Sequence, residues 1–115
     1  MLDCHSFPST ALPYETDQRK ERPDICIGTD SFHTPGLLTE FLRAEFAAKG
    51  FTVQINRPFS GALVPMKFYG KDKAVSAIMI EVNRKLYMDE RTGYRRSDFD
   101  KTKQVICSIV SSIVK

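Results

Sequence analysis

The sequence predicts an α/β fold in which a mostly parallel or mixed sheet is flanked by helices. Three observations predict it. Short apolar runs alternate with a stretch of helical period, the helical stretch has recognisable start and stop residues, and the chain ends in a second amphipathic segment. With 115 residues, 42% of them hydrophobic, the chain has enough apolar material for one core, so residues 1–115 read as a single domain.

The first extended segment is Leu2 to Ser6, in the motif "LDCHSFP". Residues 9–24 are polar and carry prolines at 13 and 23, a loop of a length that is often functional. Ile25 to Thr29 is a short apolar strand followed by Asp30 and His33. Thr34 is suited to cap a helix and Pro35 to its first position, Leu38, Phe41, Leu42 and Phe46 follow helical spacing, and Gly50 supplies a left-handed stop. Phe51 to Asn56 alternates apolar and polar residues as a half-buried strand does, and Arg57-Pro58 ends it. The helix from about Pro35 to Lys49 would then be the crossover between two parallel strands. Ala77 to Val82 is a further apolar run, interrupted by Glu81. Ser97 and Asp100 form a capping box before a last helix with Phe99, Thr102, Ile106, Ile109, Val110 and Ile113 on its apolar stripe.

Composition narrows the function classes. A net charge of +3 is mild, and the basic cluster Arg91–Arg96 is bracketed by Asp89, Glu90, Asp98 and Asp100, so it reads as a solvated turn and no nucleic-acid partner is expected. The longest apolar run is short and rich in serine, so no membrane span is expected, and no signal-peptide pattern is visible. Three cysteines, an odd count without a Cys-x-x-Cys pair, fit reduced thiols and a cytoplasmic location.

In open sheets, ligands bind beyond the carboxyl ends of strands. Asp30, His33, Asn56 and Arg57 all follow strands, and Glu81 lies near the end of another. A carboxylate inside an apolar run is costly to bury unless it is paired or stays protonated. Glu81 is therefore either a structural partner of Arg84 or Arg57, a residue on an exposed strand face, or a general acid or base in a dry site. Asp3 and His5, two apart on a strand, share a face. The pair suits a metal-ligating histidine with a carboxylate ligating beside it or holding its ring. Cys4 has no evident activating base and reads as a small buried residue. Asn56 and Arg57 could present a guanidinium for two-pronged capture of a carboxylate. Ser60 lacks a nucleophile elbow and reads as a turn residue. His33 could be a ligand, a substrate donor or part of the start of the helix.

The stretches "LDCHSFP", "PDICIGTDSFHTP", "INRPFSGALVP" and "IMIEVNRKLYMDE" occur in this order. Together they resemble the second half of the N-formylglutamate amidohydrolase family over roughly residues 1–92. The resemblance implies a three-layer α/β/α domain around a mixed sheet, truncated here to its C-terminal part. It also implies metal-dependent hydrolysis of N-formyl-L-glutamate to glutamate and formate, the last step of one histidine degradation route. By it, Glu81 is the catalytic carboxylate, His5 a zinc ligand supported by Asp3, Asn56 and Arg57 the binders of the substrate carboxylate, and His33 a site-lining residue. The family's other zinc ligands belong to an N-terminal half this chain lacks. The expectation is therefore that the chain alone holds zinc weakly and is nearly inactive. Two further readings are a binding module that retains the sheet and Arg57, and a homo-oligomer that covers exposed sheet surface.

Overall fold

Every second residue of the strands turns to the same side, and here that side is isoleucine. The computed structural model describes residues 1–114. It contains β1 (Leu2–Phe7), β2 (Ile25–Gly28), α1 (Gly36–Ala48), β3 (Val53–Ile55), β4 (Ile78–Asn83) and α2 (Phe99–Ile113), with a 3-10 turn at Arg84–Leu86. The strands form one sheet in the order β1-β4-β2-β3. β1 runs parallel to β4 and β2 parallel to β3, while β2 and β4 are antiparallel, so the sheet is mixed.

Ile25 and Ile27 of β2 and Ile78 and Ile80 of β4 share one face. They pack with Leu42 and Phe46 of α1 and Ile109 of α2 into a single buried cluster. Leu42 and Phe46 are fully buried, each contributing roughly 1.5–3 kcal/mol by the area rule. Both helices thus lie against the same face. Val53, Ile55, Val105, Ile106, Val110 and Ile113 extend the cluster at its margin. No helix among the described residues is long and apolar enough to cross a membrane.

β1 is an edge strand among the described residues. Three expectations are corrected. Thr34 does not cap α1, because Pro35 holds the N-cap position and the Thr34 hydroxyl instead donates to the Ala77 carbonyl at 2.6 Å. Asp98 is the N-cap residue of α2 and its carboxylate pairs with Arg96 at 3.0 Å, so the expected capping box does not form. The expected gathering of strand carboxyl ends is also split. β2 and β3 run against β1 and β4, and Gly28 at the end of β2 pairs with Met79 near the start of β4.

Candidate functional site

The face opposite the helices carries the polar side chains. In register across it stand His5 of β1, Glu81 of β4, Cys26 of β2 and Gln54 of β3. With strands about 4.8 Å apart, this row spans about 14 Å. Glu81 is therefore in the middle of a strand and close to His5, not at a strand end.

Two loops cover part of this face. One is the connection between β1 and β2, and the other follows β3. Gly28 lets the second loop approach: a Cβ there would stand 2.1 Å from the Gly61 carbonyl oxygen. The Cys26 thiol donates to the Phe59 carbonyl at 3.2 Å, and the Phe59 and Phe7 rings meet edge to face at 5.9 Å. The Arg22 guanidinium lies 5.8 Å from both ring centres. It pairs with Glu15 and donates to the Pro8 and Asp17 carbonyls.

Burial under this cover sets the electrostatics. Glu81 is 8% exposed, and desolvation raises its carboxyl above the usual carboxylate range, with His5 opposing the shift and Asp3 adding to it. Arg84 donates to the Ser6 hydroxyl and Arg57 is held elsewhere, so neither arginine takes up Glu81. On the edge strand, His5 Nε2 lies 2.8 Å from Asp3 Oδ1, and this hydrogen bond raises the imidazole above its ordinary value. Half of the His5 side chain is exposed, so its ring remains accessible. Burial pushes the Cys26 thiol up to about 11, which removes it as a nucleophile near neutrality. Cys4, expected to be a small buried residue, is instead exposed on the edge strand; partial desolvation and then Asp3 raise its thiol.

The other expected residues are tied into the scaffold. Asn56, at φ 55°, accepts from the Thr29 and Gly61 amides through Oδ1 and donates to the Thr29 hydroxyl, so its amide group staples two loops. Arg57, which precedes a cis peptide bond to Pro58, donates to Asp17 Oδ2 at 3.1 Å, Gln54 Oε1 at 2.8 Å and the Glu21 carbonyl at 2.5 Å. Through Gln54 it touches the end of the row that holds Glu81. His33 is buried, its Nδ1 2.7 Å from the Val75 carbonyl and its Nε2 accepting from the Gly70 amide at 2.9 Å. With both nitrogens engaged by backbone, it organises the loop before β4. Its own carbonyl accepts from Ala77, about 13 Å along the strand from Glu81. Gln54, Cys26, Asp17 and Arg22 were not singled out from the sequence. Only strand register, set by long-range pairing, brings the first two into the row of Glu81.

A catalytic zinc takes three protein ligands and leaves one position open. Among the described residues, no group of three or more His, Cys, Asp or Glu side chains is arranged to hold a metal ion. The residues present, His5 with Asp3 beside Glu81, therefore do not by themselves fit such a centre.

Comparison with known proteins bears on the family and the fold. The chain is similar to the crystal structure of N-formylglutamate amidohydrolase from Ralstonia eutropha JMP134, with a TM-score of 0.80 and 26% identity. The match covers 97% of this chain and 41% of that one, so this chain spans less than half of its structural relative. The comparison with curated proteins gives no match. The N-formylglutamate amidohydrolase family profile matches residues 1–88, which include Asp3, His5, Arg57 and Glu81, and the chain belongs to that family.

Proposed function

We propose that this chain carries the proton-transfer and carboxylate-binding parts of a hydrolytic site for N-acyl amino acids, with N-formyl-L-glutamate and water giving L-glutamate and formate. The observation that carries this reading is Glu81, a desolvated carboxyl raised above its ordinary range and registered beside the Asp3–His5 pair. A carboxylate raised toward neutrality is a better proton acceptor at working pH.

In the proposed reaction, the water oxygen bonds to the formyl carbon while Glu81 takes one water proton. Collapse of the tetrahedral species breaks the C–N bond, and Glu81 returns the proton to the leaving amine. The His5 imidazole, raised above its ordinary value by its hydrogen bond with Asp3, would lie beside the developing negative charge. Arg57 binds a substrate carboxylate through its planar fork. His5 is also the imidazole here that would ligate zinc with Asp3 orienting it. In that role it would need further ligands from outside the described residues.

Formate release from N-formyl-L-glutamate, measured for wild type and Glu81→Gln with and without added zinc, tests the proposal. Loss of release in Glu81→Gln is the expected result, and equal release in the two proteins removes Glu81 from the reaction. A chain that binds glutamate but releases no formate under any condition supports the binding-module reading.

A further inference from the structure

Two guanidinium groups converge on one internal carboxylate beside the row that holds Glu81. Asp17 Oδ2 lies 3.1 Å from Arg57 Nε and 2.6 Å from Arg19 Nη2. Arg19 Nε is 3.0 and 3.2 Å from the two Asp17 oxygens. The arginines differ in setting: the Arg57 side chain is 15% exposed and fixed by Gln54 and Glu21, whereas that of Arg19 is 66% exposed. Both line a cavity of about 450 Å³ with Lys20, Glu21 and Gln54, so three cations face one carboxylate there. Asp17 and Arg19 border a second cavity of about 800 Å³ with Pro58, Phe59 and Ser60. Either space exceeds a five-carbon chain, and a rotation of the Asp17 side chain would free the Arg19 guanidinium and Arg57 Nε, while Gln54 and the Glu21 carbonyl keep the two Nη groups of Arg57.

We propose that Arg19 and Arg57 form a dicarboxylate-binding pair in which Asp17 is the resident counter-ion that an incoming ligand displaces. This rests on the proposed role of Arg57 and adds a second cation and an internal competitor. The pair already favours an ionised carboxylate strongly. Asp17 is held well below the usual range, first by its hydrogen bonds with Arg19 and to a lesser degree by Arg57. A ligand with two carboxylates can engage both guanidinium groups, whereas Asp17 brings one carboxylate to be shared between them. The arrangement sets a threshold: a single weak carboxylate competes poorly with Asp17, and a dicarboxylate competes well.

Glutarate titrated calorimetrically in low-salt buffer tests this on wild type, Asp17→Asn, Arg19→Gln and Arg57→Gln. Butyrate is the single-carboxylate comparison, and far-UV circular dichroism checks the fold. Asp17→Asn is expected to tighten glutarate about threefold, the worth of an exposed ion pair, with the gain shrinking as salt is raised. Arg19→Gln and Arg57→Gln are each expected to weaken it, and wild type to bind butyrate less tightly than glutarate. Asp17→Ala should act in the same direction as Asp17→Asn. Unchanged or weaker glutarate binding in both Asp17 variants overturns the proposal, as does unchanged binding in Arg19→Gln or no glutarate binding in any of the proteins. The outcome separates from that of the hydrolysis assay. Formate release lost in Glu81→Gln, with glutarate binding indifferent to Asp17, removes this site alone. The expected glutarate behaviour without formate release from any protein leaves this site standing and removes the hydrolysis.

Discussion

Replacing Gly28 by alanine adds a single methyl group at the place where the loop after β3 descends onto the sheet. That methyl carbon would meet the Gly61 carbonyl oxygen at 2.1 Å and Met79 Cε at 2.4 Å. The Met79 terminus can swing aside, but Gly61 is backbone. Close carbon–oxygen contacts begin at about 3.3 Å, so the loop must rise by more than about 1 Å. Overpacking of this kind costs about 1–3 kcal/mol. For a chain of this length, the usual unfolding entropy converts a loss of about 2 kcal/mol into a fall of about 8 °C in Tm. The loop that moves also carries Phe59, whose carbonyl accepts from Cys26, next to Glu81 in the row. Water admitted there would relieve the desolvation that raises Glu81, so formate release should fall along with stability. Gly36→Ala is the internal control, since a Cβ there meets nothing within 4 Å and the residue begins α1. The same chemical change should stabilise by about 0.4–1 kcal/mol at that position. Urea unfolding of the three proteins reads both effects. A Gly28→Ala midpoint within about 0.5 kcal/mol of wild type would refute the close-approach reasoning.

Glu81→Gln also has a stability signature. The folded carboxyl is raised above its ordinary value of 4.5, so the folded state binds the extra proton more tightly than the unfolded chain does. Wild type should lose stability as pH rises from about 4.5 through the folded value, and the glutamine variant should lack that component. Urea midpoints between pH 4 and pH 8 check this, and parallel profiles for the two proteins count against a desolvated Glu81. Glu15→Gln breaks a buried pair whose side chains are 6% and 1% exposed, and should destabilise by about 3–5 kcal/mol. The double variant Glu15→Leu with Arg22→Met should recover much of that loss in urea titrations, because no uncompensated charge stays buried between Phe7 and Phe59.

The elements were legible wherever one residue pattern decided them. Isoleucines at alternate positions, the Leu42–Phe46 spacing and the apolar run around Glu81 each specify a local structure whatever the rest of the chain does. Residues 34–35 and 97–100 show where such reasoning stops. Thr34 and Asp98 are good caps in isolation, yet each side chain has a stronger partner in the Ala77 carbonyl or the Arg96 guanidinium. Those partners lie 43 and 2 residues away, and the first is invisible to any local pattern.

Strand direction decided what could be read of the site. Residues placed just after strands form one cluster only if the strands run the same way, and the antiparallel β2–β4 pair separates them. His33 follows β2 and so lies toward the start of β4, engaged through both nitrogens in a loop, while His5 reaches Glu81 through the parallel β1–β4 register. Arg57 also follows a strand of the reversed pair, but its long side chain turns back and bonds Gln54, two residues before the strand's last bond to Ile27. That return brings a guanidinium to the same cross-sheet row as a desolvated carboxyl, with Asp17 between it and Arg19. A proton acceptor and a carboxylate binder two strands apart in that row, about 10 Å, suit an extended ligand with a charged group away from its reacting bond. The same spacing would serve a compact, uncharged amide poorly.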